Sequence, residues 1–254
     1  MAYVVDFDNT IVGNVQSLSY KFVALSEAFN RGIVDEASEL ARMRPWFVEG
    51  MRALVRPHFA DFMRDAKAQQ RPVFVYTASH PKWAEYIVPI VEEIVGFGFA
   101  KPLFTRDDCA MDERRNFTKS LQRVIPRMGS PAYDSVVVVD DRAEAWPADA
   151  ARLIVCPRYA FGAYADPLAG LHPTVLANPT MQQWLSSNGV IFPSSTDLAA
   201  RYAFCLAEAK RIKKENRAIK PASRSFWNAL RLCAARPATA TALVEECQSA
   251  DGTV

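Results

Sequence analysis

Short apolar runs punctuate the chain at residues 3–7, 73–76, 136–139 and 153–155. They are rich in Val and Ile and lack polar alternation, which predicts strands of a parallel sheet covered on both faces. Between them, apolar residues recur at helical spacing. In 58–70 these are Phe59, Phe62, Met63 and Ala66, and 82–95 and 117–125 follow the same rhythm. Strands alternating with helices predict an α/β sandwich with right-handed crossovers.

Two regions depart from this alternation. Residues 17–50 are helical in character (Phe22, Leu25, Phe29, then Leu40, Met43, Phe47) and longer than a usual crossover, which predicts a small helical cap inserted after the first strand. Beyond Phe192 the composition shifts. Leu198, Tyr202, Cys205, Ala209 and Ile212 form an amphipathic stripe, with Ser195, Thr196 and Asp197 as its capping residues. The expected organisation is a catalytic domain over 1–192 and a basic helical extension over 193–254.

Composition adds mainly exclusions. Half of the 254 residues are hydrophobic and 23% are charged, as in a globular protein and unlike a disordered chain. No apolar run approaches the ~18 residues of a membrane span; the best stretch, 86–100, is broken by Pro89, Glu92 and Glu93. The apolar start meets Asp6 at once, unlike a signal peptide. The 5 cysteines are scattered without a Cys-x-x-Cys, and the 3 histidines form no ligand pair. Neither a disulfide framework nor a zinc site is expected, and the chain reads as intracellular, in nucleus or cytoplasm. The net charge of +2 conceals an asymmetry, because residues 201–236 hold ten basic residues against Glu208 and Glu215. That stretch, with Phe226 and Trp227, is a candidate surface for RNA or an acidic partner, beside the plainer reading of helices with lysines in water.

The chemistry gathers at strand ends. Asp6-Phe7-Asp8-Asn9-Thr10 stands at the carboxyl end of the first apolar run, where parallel sheets place their ligand sites. Paired carboxylates there repel each other and lose solvation unless a cation or shared proton compensates. The second strand ends in Thr77, Lys119 follows in Asn116-Phe117-Thr118-Lys119, and the third strand runs into Asp140-Asp141. A parallel sheet brings Asp6, Asp8, Thr77, Asp140 and Asp141 to one rim. Two acidic pairs make a hard oxygen cage suited to Mg²⁺, and Thr77 with Lys119 suits a phosphoryl dianion.

This constellation resembles the haloacid dehalogenase (HAD) superfamily of aspartate-nucleophile phosphotransferases. Arg56-Pro57 before a helix, Tyr76-Thr77-Ala78-Ser79, Thr118-Lys119-Ser120-Leu121 and Asp140-Asp141-Arg142 with Trp146 resemble, more closely, the phosphatases of the RNA polymerase II C-terminal domain. The likeness spans about residues 2–162, with departures at Asn9, where that family has Glu, and Ser120, where it has Asp.

The resemblance implies a Rossmann-like three-layer fold and a Mg²⁺-dependent phosphatase acting on phosphoserine or phosphothreonine in a protein. It also implies roles: Asp6 as nucleophile, Asp8 as acid and base, Thr77, Ala78 and Lys119 at the phosphate. The metal would lie on Asp6, the Asp8 carbonyl and the Asp140-Asp141 pair, with Asp141 the direct ligand and Asp140 orienting Lys119. A phosphatase for a small metabolite or a nucleic-acid end, and a non-catalytic scaffold, are the alternatives.

Overall fold

The structure, a computed structural model, describes residues 1–129, 131–163, 168–187, 198–235 and 239–250. The chain opens with β1 (Ala2–Val5), α1 (Gln16–Asn30), α2 (Glu36–Leu54), α3 (Phe59–Ala68), β2 (Val73–Tyr76), α4 (Pro81–Val95) and β3 (Ala100–Phe104). A small hairpin of β4 (Ala110–Met111) and β5 (Phe117–Thr118) leads to α5 (Leu121–Val124), β6 (Val136–Asp140) and β7 (Leu153–Val155). Helices α6 (Pro173–Ala177), α7 (Pro179–Ser187), α8 (Leu198–Arg217), α9 (Pro221–Ala234) and α10 (Ala240–Ala250) complete it.

The chain divides into two compact units. The first comprises Met1–Gly13, Val55–Ala160 and Ile219–Val254, and the second Asn14–Leu54 and Phe161–Ala218. The residues of the expected extension therefore fall in both units, split at 218. The expected boundary at 192 and the capping residues Ser195, Thr196 and Asp197 lie outside the described residues.

The first unit holds a parallel five-stranded sheet in the order β3-β2-β1-β6-β7. From β1 the chain builds outward through β2 and β3, then returns to add β6 and β7 on the other side. The reversal between β1 and β6 is the crevice where open α/β sheets bind ligands. Alternate side chains serve opposite faces. Val4, Phe74, Tyr76 and Val138 join Leu121, Val124 and Trp146 on one face. On the other, the Tyr3 ring meets Phe62 of α3 at 5.0 Å, and Phe62 meets Trp227 of α9 at 4.7 Å. Both faces are covered, so the strands are apolar throughout and the fold is the expected Rossmann-like α/β sandwich.

One local expectation needs correction. Residues 117–125 do not form one helix: Phe117 and Thr118 belong to β5, and only Leu121–Val124 is α-helical, capped by the Ser120 hydroxyl. Phe117, Leu121 and Val124 have helical spacing by coincidence. The Asp112–Asn116 turn, closed by backbone and side-chain hydrogen bonds, fixes a hairpin instead. Strand β3 gives no apolar run because Lys101 and Pro102 interrupt it, as an edge strand permits.

In the second unit, residues 17–50 are helical as their periodicity predicts, in α1 and α2. Gly50 lets these helices approach closely, since a Cβ there would meet Leu18 Cδ2 at 2.9 Å. Asn216 of α8 bonds both the amide and the carbonyl of Gly162, at 2.8 and 2.7 Å. Among the described residues no helix is long and apolar enough to cross a membrane.

Candidate active site

The pairing of β1 with β6 places two acidic strand ends side by side. Val5 stands opposite Val139, and the Asp6 amide donates to the Val139 carbonyl at 2.9 Å. Asp6 and Asp140 are therefore neighbours across the crevice. Asp6, Asp140 and Asp141 each offer an oxygen within 4.8 Å of the others, an all-carboxylate set able to hold a hard divalent cation. The Asp8 carboxylate is not in this set.

Lys119 enters beneath the acids. Its amide donates to the Ala145 carbonyl at 2.7 Å, and the next turn is held by the Leu121 amide on Asp149 Oδ2 at 2.9 Å. So anchored, the buried Lys119 Nζ donates to Asp6 Oδ1 at 2.5 Å and to Asp140 Oδ2 at 2.8 Å. Asp140 also accepts from Trp146 Nε1 at 2.7 Å and from the Arg142 amide at 2.9 Å. Asp140 thus takes three donors, Lys119 Nζ among them, and is firmly anchored. Trp146, which reads from sequence as packing alone, is fully buried and helps to hold it.

Asp8 is held from the neighbouring strand end. Thr77 Oγ1 donates to Asp8 Oδ2 at 3.2 Å, and Ser79 Oγ donates to the same oxygen at 2.8 Å. Ser79, to which the motif Tyr76-Thr77-Ala78-Ser79 gives no role, lines the site beside Asp8. Ala78 lines the same cavity, and its carbonyl accepts from Arg106 Nε at 2.9 Å. The cavity, about 510 Å³, thus brings Asp6, Asp8, Ala78, Lys119, Asp140 and Asp141 together, with Thr77 directly behind Asp8. Arg106, Arg142 and Arg158 add guanidinium groups to its walls. Only Arg142 carried a sequence signal; the other two follow strand ends, at the rim where the chemistry gathers.

The electrostatics follow from burying more acids than bases. Burial, reinforced by the Asp140 charge, raises the Asp6 carboxyl well above the ordinary range although Lys119 opposes this. Burial also raises Asp8, against the hydrogen bonds of Ser79 and Thr77, and pushes Asp141 up to about 6 with help from Asp140. For Lys119 burial favours the neutral amine, but the Asp6 and Asp140 carboxylates outweigh it and keep it protonated. The site holds an excess of negative charge that a divalent cation would offset.

Arg56 and Trp227, quoted above from the sequence, lie outside the cavity. Arg56 is 1% exposed, its guanidinium bonds to backbone carbonyls, and it does not line the cavity. Trp227, a candidate exposed aromatic of the basic stretch, is buried completely against Phe59 and Phe62 and cannot face RNA. Within that stretch Arg211 pairs with Glu208 at 2.8 Å and Glu215 at 2.6 Å, and Arg236 lies outside the described residues.

Compared with known proteins, residues 2–175 match the family model of NLI interacting factor-like phosphatases. The chain belongs to that family. It is a phosphatase of the C-terminal-domain phosphatase type, and the expected superfamily assignment stands. No curated protein matches this phosphatase significantly. Among solved structures it is similar to Fcp1, described as an essential RNA polymerase II CTD phosphatase, at 16% identity and a TM-score of 0.41. That likeness covers 97% of this chain and 70% of the other.

Proposed function

We propose that this phosphatase hydrolyses phosphoserine or phosphothreonine in proteins, through a phosphoryl group carried on Asp6. One observation carries the reading: Asp6 shares Lys119 with Asp140, whereas Asp8, two residues on, is held separately by Thr77 and Ser79. Two neighbouring carboxyls in different environments can take different roles.

In the first step an Asp6 oxygen attacks phosphorus in line, and the bond to the serine or threonine oxygen breaks. Asp8, whose raised pKa favours the acid form, protonates that departing oxygen. In the second step Asp8, now a carboxylate, takes a proton from water. The water oxygen attacks phosphorus and frees Asp6, releasing phosphate. Lys119 lines the cavity and supplies a preorganised positive donor for the phosphoryl oxygens, while Thr77 acts behind it by holding Asp8.

Mg²⁺ suits the donor set, and Asp6, Asp141 and the Asp8 carbonyl would hold it, with Asp140 orienting Lys119. When bound, it neutralises charge on Asp6 and on the phosphoryl oxygens. The three arginines on the cavity walls favour an anionic substrate, and a phosphorylated protein segment fits them. Such a substrate is met in nucleus or cytoplasm.

The test is a screen of phosphopeptides, nucleotides and sugar phosphates in Mg²⁺, with Asp6→Asn as the blank. Preference for peptides supports the proposal. Turnover of small esters alone supports a metabolite phosphatase, and turnover of none supports a scaffold.

A further inference from the structure

Thr10 closes the first acidic string and is bonded from both sides. Its hydroxyl accepts the Asp141 amide at 3.2 Å, tying the β1 loop to the second acidic pair. Its carbonyl accepts two buried donors, Arg56 Nη1 at 3.3 Å and Trp227 Nε1 at 3.2 Å. Both donors lead to α9. Trp227 lies on that helix, and Arg56 Nε donates to the Ser223 carbonyl at 2.7 Å, one turn earlier. The Arg56 guanidinium also donates through Nη2 to the Pro157 carbonyl at 2.9 Å, and rests 4.9 Å from the Phe226 ring centroid.

This is more than ordinary helix packing. A guanidinium buried to 1% exposure whose hydrogen bonds go to carbonyls, a hydroxyl and a thiol is costly to desolvate, since among the described residues no carboxylate is bonded to it. A core needing only volume would put an aliphatic side chain there. The indole donor is likewise spent on one carbonyl, two residues beyond Asp8. Helix α9 begins at Pro221, well past the segment 2–175 that carries the family likeness.

We propose that α9 is a positioning element of the active site, with Trp227 and Arg56 clamping the Thr10 carbonyl and so fixing the loop that carries Asp6 and Asp8 against Asp141. The inference rests on Asp6 and Asp8 being the reacting carboxyls. Neither Arg56 nor Trp227 touches substrate. They act through Thr10, whose displacement would misalign the attacking and protonating groups, and misplacement of about 1 Å can cost up to ~10²-fold in rate.

The decisive variant is Trp227→Phe in the full chain, which keeps an aromatic ring but removes the donor to Thr10. Leu230→Ala on the same helix is the comparison, since it removes buried volume and leaves that hydrogen bond in place. We expect Trp227→Phe to lower kcat about tenfold with KM unchanged, measured well below both melting temperatures, and to speed amide hydrogen exchange across residues 6–12. Leu230→Ala should lower the melting temperature more and leave kcat unchanged. The clamp is overturned if Trp227→Phe changes only the melting temperature, or if kcat in both variants simply follows lost stability. If the unsubstituted protein turns over none of the phosphoesters tried, the functional reading fails instead. The exchange comparison then still decides whether α9 holds the loop.

Discussion

Lys119 Nζ bonds Asp6 at 2.5 Å but makes no hydrogen bond to Asp8, whose Oδ2 takes its donors from Thr77 and Ser79. On the proposed mechanism Asp6 attacks and Asp8 carries the proton. Burial raises both carboxyls; the Lys119 charge offsets part of this at Asp6, and the Ser79 and Thr77 hydroxyls offset part of it at Asp8, so the two stand in different settings. Replacing Asp6 by Asn should therefore abolish turnover, by about 10⁴-fold or more, as loss of a catalytic nucleophile does. Its melting temperature should be unchanged or higher, because burial and the Asp140 charge oppose the Asp6 carboxylate. Calorimetry and a search for hydroxylamine-sensitive labelled protein check both halves. Appreciable turnover, or an unlabelled but active wild type, would remove Asp6 from the role.

For Asp8→Asn the loss should depend on the leaving group. A general acid contributes roughly 10²–10⁴-fold, and most where the departing oxygen is basic. An alkyl ester such as a phosphoserine peptide should therefore lose far more of its rate than an aryl phosphate with an acidic phenol. Comparing the two substrates in one variant measures this. An equal loss on both would mean that Asp8 serves the structure of the loop and not proton transfer.

How much of this was legible follows from where each residue stands. Asp6, Asp8, Thr77, Asp140 and Asp141 each close an apolar run, and a parallel sheet must deliver all such ends to one rim. Their convergence is legible from the sequence alone. Ser79 and Arg158 lie in loops beyond strand ends, and Asp149 meets the Leu121 amide from 28 residues away; their contacts depend on loop paths that periodicity does not encode. Lys119 was found by its neighbours' motif, but its setting was misread, because a hairpin ended by Ser120 imitates helical spacing in Phe117, Leu121 and Val124. Trp227 looked like a surface aromatic among charges, since nothing in the local pattern reveals that α3 offers it Phe59 and Phe62.

Ser79→Ala tests the group that the sequence left without a role. It removes the shorter of the two bonds to Asp8 Oδ2 and leaves Thr77 in place. Losing one such orienting bond should cost about 1–2 kcal/mol, or roughly tenfold in kcat. The deficit should again be larger on the alkyl than on the aryl ester, a weaker copy of the Asp8 variant. A deficit independent of the leaving group would assign Ser79 to phosphate binding.

Metal removal has a readout apart from turnover. A site with an excess of buried negative charge is stabilised by a cation bound to the folded state alone, by about 2.7 kcal/mol at a hundred times its dissociation constant. Mg²⁺ should raise the melting temperature of the wild type, and a chelator should reverse the rise and stop turnover. In Asp141→Asn the rise should need a higher Mg²⁺ concentration. Melting curves over a Mg²⁺ titration decide this, and identical curves for the two proteins would exclude Asp141 as a ligand.

Lys119→Met brings these forces together. The lysine is buried and bonded to two carboxylates, so its removal strands Asp6 and Asp140 facing each other without a cation. Breaking a buried pair from one side typically costs about 3–5 kcal/mol, and turnover should vanish with the phosphoryl-facing charge. Unlike a simple packing loss, this deficit should shrink when Mg²⁺ is added, since a divalent ion can replace part of the missing positive charge. The Mg²⁺-induced rise in melting temperature should accordingly be larger in Lys119→Met than in the wild type. A smaller rise would mean that Lys119 helps to assemble the metal site and does not merely balance its charge.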